Sequence, residues 1–215
     1  MKKDYSFKII NGKVITRDRI LDQGTVVVKN GMIEAVLEGK ADNPGVQVID
    51  ARGFYVSPGF IDIQINGFSG VDFADQALKR DDLFSATKAL WKAGITAFLP
   101  TVITNSHQNL IKSFSILSEV LDDPEIGMSI PGFHLEGPFI SPVQGYRGAH
   151  LEKYIRLPDW EEFELLQNSS GGRIKLITLA PEVEGAIPFI RRCADKGVTV
   201  SLGHHNGSTE IIRHA

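Results

Sequence analysis

The chain has 215 residues, 42% of them hydrophobic and 23% charged, and a formal net charge of −3. This is the balance of a water-soluble globular chain long enough to bury a core. Its basic residues are scattered, with no stripe of Lys and Arg to follow a phosphate backbone, so no nucleic-acid partner is expected. A small phosphorylated molecule stays open.

The amino-terminal run MKKDYSFKII carries two lysines but neither the apolar centre nor the cleavage site of an export signal. No apolar run approaches the roughly 18 residues of a membrane span. A cytoplasmic protein without a membrane partner is expected. From Phe7 to about Ser57, short alternating runs (FKIING, GTVVVKNGMIEAVLEG, VQVIDARGFYV) are separated by Asn-Gly, Asp-Gln-Gly and Pro-Gly turn signals. They predict a small β-sheet unit over residues 1–57.

After Pro58 the pattern changes. Apolar strands alternate with helix-period segments: FIDIQI before 81–93, TAFLPTVIT before 105–121, SIPGFHLEG before 158–167, IKLITLAP before 183–196, and VTVSLGH before a helix near Ser208. Continuous apolar strands between helices predict a parallel sheet covered on both faces. Residues 58–215 therefore read as five βα units, from either a barrel or a doubly wound sheet. The single cysteine, Cys193 in IRRCADKG, has no partner in the chain and reads as a small buried hydrophobe.

Polar residues at strand ends separate those two folds. Gln64 and Asn66, Thr101 and Thr104, His134 and Glu136, and His204 with His205 close four of the five strands. Chemistry spread over several strand ends matches a (β/α)8 barrel. A doubly wound sheet gathers it at one glycine-rich turn, and no G-x-G-x-x-G follows a strand here. Eight units need about 250 residues, so the fold expected is an α/β TIM barrel truncated after about five units, behind a small β-unit.

Individual residues leave alternatives at this level. Glu136 in an apolar frame needs a metal or an ionic partner. His204 is either a hydrogen-bonded pocket residue or a ligand, and its neighbour His205 should point to the other side of the strand. His150, in a Gly- and Pro-rich loop, is a solvated side chain unless something recruits it. Gln64 and Asn66, spaced i, i+2, face the same way and either meet a common site or bond loop backbone.

The ordered set PGFIDIQINGF, GITAFLPT, GFHLEGPFI followed by RGAH, ITLAPE and VSLGHHNGS resembles the N-acetylglucosamine-6-phosphate deacetylase family of amidohydrolases. The resemblance runs over nearly the whole chain and implies an amidohydrolase-type barrel whose amino-terminal β-unit belongs to a small β-sandwich. It implies that Glu136 and His204 hold one divalent metal ion, Zn first, with Fe or another first-row ion as alternatives. His150 would then donate to the substrate carbonyl as that oxygen gains charge. Asn206 and Gly207, opening the next helix, would meet polar groups of the sugar, while Arg147 shapes the RGAH loop.

The third metal ligand of that family is a histidine in a TH-x-x-N-A-M motif on the sixth strand, and its general base is an aspartate ending the eighth. Neither has a counterpart before Ala215, so little activity is expected of these residues alone, and the open sheet should associate or be poorly soluble. His134 shares a face with Glu136 and could stand in as a ligand or support the site from behind. Many amidohydrolases carry His-x-His on the first strand to hold a second ion, and Gln64 and Asn66 occupy those places. Carboxamides are weak ligands for first-row ions, so a one-metal site is expected. The implied substrate is an amino-sugar phosphate, and the implied full-length assembly is a homodimer.

Overall fold

The computed structural model describes residues 5–39 and 45–215. Met1–Asp4 of the amino-terminal run and Pro44 of the Pro-Gly turn signal lie outside the described residues. The chain divides into two compact units, residues 1–59 and 60–215.

The first unit is one mixed sheet. Strands β1 (Phe7–Ile15), β2 (Ile20–Lys29) and β3 (Met32–Glu38) form an antiparallel meander, and β4 (Gln47–Asp50) and β5 (Tyr55–Val56) add in parallel along successive stretches of β1. Between β2 and β3, Asn30 and Gly31 both have positive φ, 52° and 79°. That is the two-residue turn whose twist suits a hairpin, and it is why Asn-Gly stands there. Val14, Leu21, Val26 and Val28 bury one face with Phe7, Ile9 and Val56 packed on them. Ile33 and Val36 lie along the same apolar concavity yet stay 65% and 41% exposed.

The second unit is a curled parallel sheet of five strands in chain order: β6 (Phe60–Ile65), β9 (Ile95–Ile103), β10 (Phe133–Glu136), β11 (Ile174–Leu179) and β12 (Thr199–Leu202). A short ribbon, β7 (Gly67–Phe68) with β8 (Val71–Asp72), follows the first of them. Helices α1 (Arg80–Lys92), α2 (His107–Ser118), α3 (Trp160–Ser169) and α4 (Ala186–Asp195) connect the strands, and α5 (Thr209–His214) follows β12. Side-chain caps start α2, α3 and α5, where Ser106, Asp159 and Ser208 accept the N–H groups of Asn109, Glu162 and Ile211.

Each of the four longer helices buries the stripe its sequence spacing predicts. Leu83, Ala86 and Leu90 face the core from α1, Leu110, Phe114 and Leu117 from α2, Phe163 and Leu166 from α3, and Phe189, Ile190 and Cys193 from α4. Burial pushes the Cys193 thiol up to about 12, as befits an inert packing residue. On the sheet, β10 is buried throughout and β9 from Phe98 to Val102, whereas Phe60, Ile61 and Ile63 of β6 remain 66%, 69% and 59% exposed. The β6 register slips between Asp62 and Ile65, and there the Ile65 N–H donates to the Thr101 hydroxyl at 3.0 Å. No helix among the described residues is long and apolar enough to cross a membrane.

Candidate active site

Parallel strands point the same way, so their final residues collect at one end of the sheet, and the polar groups of β6, β10 and β12 meet there. Glu136 closes β10 with only 5% of its surface exposed. Gln64 near the end of β6 donates from Nε2 to Glu136 Oε1 at 2.8 Å, and Asn66 donates from Nδ2 to Oε2 at 3.4 Å. The paired amides thus satisfy both oxygens of a buried carboxylate. Both sequence alternatives for these amides concerned what they face, and their target is the Glu136 side chain.

His204 stands just beyond β12 in the left-handed region, with φ 52°. Three main-chain-directed bonds surround it. The Gly203 N–H donates to Leu179 O at 3.0 Å, the Ser141 N–H donates to His204 O at 2.9 Å, and His204 Nδ1 lies 3.3 Å from Tyr146 O. A carbonyl can only accept, so Nδ1 carries a proton there. In the neutral ring this leaves Nε2 with a lone pair, aimed at Glu136 Oε1 3.0 Å away. Two acceptors face one another at that distance only if a proton or a cation lies between them.

His150 enters from the loop after β10 and is 5% exposed. Its ring meets that of His204 edge-on, with centroids 4.3 Å apart, and its Nε2 is 4.0 Å from Glu136 Oε1. The ligand-capable atoms of Glu136, His150 and His204 all lie within 4.8 Å of one another. A carboxylate with imidazoles, one presenting a fixed lone pair, is the donor set of a first-row divalent ion, and the residues present fit such an ion. Burial, reinforced by neighbouring His204 and opposed by Glu136, holds the His150 pKa below the ordinary imidazole value.

Thr104 fixes His150 from behind. Its Oγ1 is 2.7 Å from His150 Nδ1 and 3.3 Å from the Glu136 carbonyl. Gly137 makes room for this contact. Its φ is 79°, and a Cβ there would stand 2.1 Å from the Thr104 oxygen. Arg147 donates to His150 O at 3.0 Å and lies 3.6 Å from Glu152, so it shapes the loop.

His134 lies apart from this group. Thr101 Oγ1 is 3.3 Å from its Nδ1 and Thr178 Oγ1 is 2.7 Å from its Nε2, so both nitrogens are engaged in the sheet. Burial lowers its pKa to about 4 against the opposing influence of Glu136. The supporting position fits it, and the ligand position does not. His205 also turns away, its Nδ1 accepting the Gly207 N–H at 3.2 Å. The Asn206 N–H donates to Glu182 Oε1 at 2.6 Å. With both backbone donors of Asn206 and Gly207 engaged, the exposed Asn206 side chain is the group there left to face a ligand.

Three contributors went unassigned in the sequence. Thr104 was legible as a strand-end hydroxyl without a role. Tyr146 acts through its carbonyl, which no side-chain reading finds. Glu182 closes the ITLAPE segment after β11, and a carboxylate directly behind a strand-end proline was the available signal.

The fold and the carboxylate-imidazole cluster define a class. The chain matches the amidohydrolase family over residues 55–215 and belongs to that family. It is similar to N-acetylglucosamine-6-phosphate deacetylase of Bacillus subtilis, with 33% identity over 206 residues, 94% of this chain and 51% of that protein. The Haemophilus influenzae protein of the same name is 32% identical over 212 residues, covering 97% and 53% of the two chains. The crystal structure of N-acetylglucosamine-6-phosphate deacetylase from Pasteurella multocida superposes with a TM-score of 0.86 at 30% identity, over 97% of this chain and 53% of that one. The chain thus spans about half the length of the curated relatives it matches.

Proposed function

We propose that these residues form the metal-holding part of a deacetylase that hydrolyses N-acetyl-D-glucosamine 6-phosphate to D-glucosamine 6-phosphate and acetate. The observation that carries this is the facing pair Glu136 and His204, with His150 beside it, in a chain 33% identical to a relative bearing that name. The second unit is read as the first five βα units of a (β/α)8 barrel, and the first as part of a small sandwich whose apolar face, with Ile33 and Val36 exposed, takes a second sheet. The protein is expected in the cytoplasm and, at full length, as a homodimer.

Glu136 and His204 would bind one divalent ion, Zn first and Fe or another first-row metal as alternatives. When bound, such an ion supplies Lewis acidity to the acetamido carbonyl and lowers the pKa of water. Gln64 and Asn66 hold the Glu136 carboxylate still, and they replace the His-x-His pair that would keep a second ion. His150 orients the acetamido group by donating from Nε2 to its oxygen, where negative charge develops. That role needs the proton on Nε2, which requires the Thr104 hydroxyl to turn from the Glu136 carbonyl, its acceptor at 3.3 Å, to Nδ1 2.7 Å away. The Asn206 side chain meets a sugar hydroxyl. By resemblance, the third ligand and the aspartate that takes and returns the proton come from the sixth and eighth strands.

Acetate release tests this. Expressed from the gene's full reading frame with Zn2+ supplied, the protein should release acetate from N-acetyl-D-glucosamine 6-phosphate, and both Glu136→Gln and His204→Asn should abolish it. Opening of a cyclic amide such as a hydantoin, without acetate from the sugar phosphate, would instead assign a different amidohydrolase reaction. The 215 residues alone should show little turnover.

A further inference from the structure

We propose that Glu182 is a positioning residue for His204, acting through the turn that joins β12 to α5. The proposal rests on reading His204 as a metal ligand. Glu182 lies in the loop between β11 and α4, which is anchored where the Ala180 N–H donates to Phe139 O at 3.0 Å. From that anchored loop its Oε1 accepts the Asn206 N–H at 2.6 Å, a short, charge-assisted bond.

The turn it holds is under strain. His204 has a Cβ and yet adopts φ 52°, a region such residues rarely occupy. In that conformation its Nε2 lies 3.0 Å from Glu136 Oε1. Two of the holding bonds, Gly203 N–H to Leu179 O and Ser141 N–H to His204 O, join main chain to main chain and do not depend on side-chain identity. The bond to Glu182 does. Without it the turn at 205–206 loses a side-chain anchor, and the imidazole of His204 can shift from Glu136 against its remaining main-chain bonds.

The second carboxylate oxygen is the other half of the observation. Glu182 Oε2 is buried without a hydrogen-bond partner. It sits over the turn, where a Cβ on Gly207 would lie 3.4 Å from it. A buried acceptor left unsatisfied is costly, so this carboxylate is poorly accounted for as a surface charge. It is well accounted for as an acceptor held in place for one backbone N–H. What the turn takes from Glu182 is an acceptor at the right reach for that N–H.

Titration of the metal-free protein, expressed from the gene's full reading frame, with Co2+, followed by its visible d–d absorption, tests this with Glu182→Ala, Glu182→Gln, Glu182→Asp and His204→Ala. Gln keeps an acceptor at the same reach, whereas Asp keeps the charge but withdraws it by one methylene. Expected are a loss of about tenfold in Co2+ affinity for Ala and Asp and a change within about threefold for Gln. His204→Ala should lose the band. Retained affinity in the Ala and Asp variants, with loss in His204→Ala, overturns the role of Glu182 while leaving the metal site intact. Rescue by Asp and not by Gln also overturns it, because charge would then be the operative property. An unchanged titration in His204→Ala overturns the metal reading beneath it. Should Glu182→Ala fail to fold, the contrast between Gln and Asp still decides.

Discussion

Gln64 donates to Oε1 of Glu136 at 2.8 Å, tying the first strand of the parallel sheet to the third across 72 positions of sequence. The amide does for the carboxylate what a backing residue does in many metal sites: it fixes the oxygen's direction before any ion arrives. Gln64→Ala is expected to weaken divalent-ion binding about tenfold. Asn66→Ala should cost less, because its 3.4 Å contact is long for a hydrogen bond. Calorimetric titration of both variants measures the difference, and equal, negligible effects would remove the amides from the site.

His150 makes a spectroscopic prediction. A carbonyl donor must carry its proton on Nε2, whereas a metal ligand at that atom must not. The Thr104 hydroxyl donates to the Glu136 carbonyl at 3.3 Å and lies 2.7 Å from Nδ1, so the carbonyl-donor role requires that hydroxyl to turn to Nδ1, which leaves the ring proton on Nε2. Burial, with His204 beside the ring, lowers the His150 pKa and so favours the neutral ring. Nitrogen-15 shifts of labelled histidine report the tautomer directly, and Thr104→Val should abolish its preference. A proton on Nδ1 instead would argue for His150 as a third ligand.

Stability should fall with acid through His134. Its pKa is about 4 in the fold and 6.5 as the ordinary value, so between them the unfolded chain takes up a proton that the folded chain refuses. Stability therefore rises with pH across that window and is lost as pH drops through it. At about 1.4 kcal/mol per pKa unit the full effect is on the order of 3 kcal/mol. Urea unfolding at pH 7 and pH 4.5 measures it. His134→Gln should flatten this part of the pH dependence, and an unaltered slope in that variant would refute the assignment.

The sheet edge at β6 should drive association. Ile61 and Ile63 are 69% and 59% exposed, and among the described residues the strand pairs only with β9. An apolar strand with an open edge is a pairing surface. Sedimentation is expected to show concentration-dependent association of the 215-residue chain, relieved by Ile61→Lys with Ile63→Lys. A monodisperse monomer that melts cooperatively would contradict this.

Much of the scaffold was legible in the sequence, for physical reasons. The strands of the parallel sheet fall on short apolar-rich runs, and helix stripes such as Leu110, Phe114 and Leu117 repeat at the helical period and are buried. The candidate site was legible only in part. Spacing alone puts Gln64 and Asn66 on one side of a strand, yet it says nothing of Glu136, which joins them only when β6, β9 and β10 align. His204 could be matched by motif, but its left-handed backbone could not, since that conformation depends on bonds from Ser141 and from the turn beyond it. Nor could Glu182, whose target is a main-chain N–H that any residue at 206 other than proline would supply.

The central claim is a one-ion site centred on Glu136 and His204, with carboxamides where a second ion would need imidazoles. Zn2+ titration of the metal-free protein expressed from the gene's full reading frame, with bound metal counted by elemental analysis after desalting, tests it most directly. One ion per chain in the wild type, and none in Glu136→Gln or His204→Asn, is the predicted result. Two tightly held ions, or an ion retained in both variants, would contradict it.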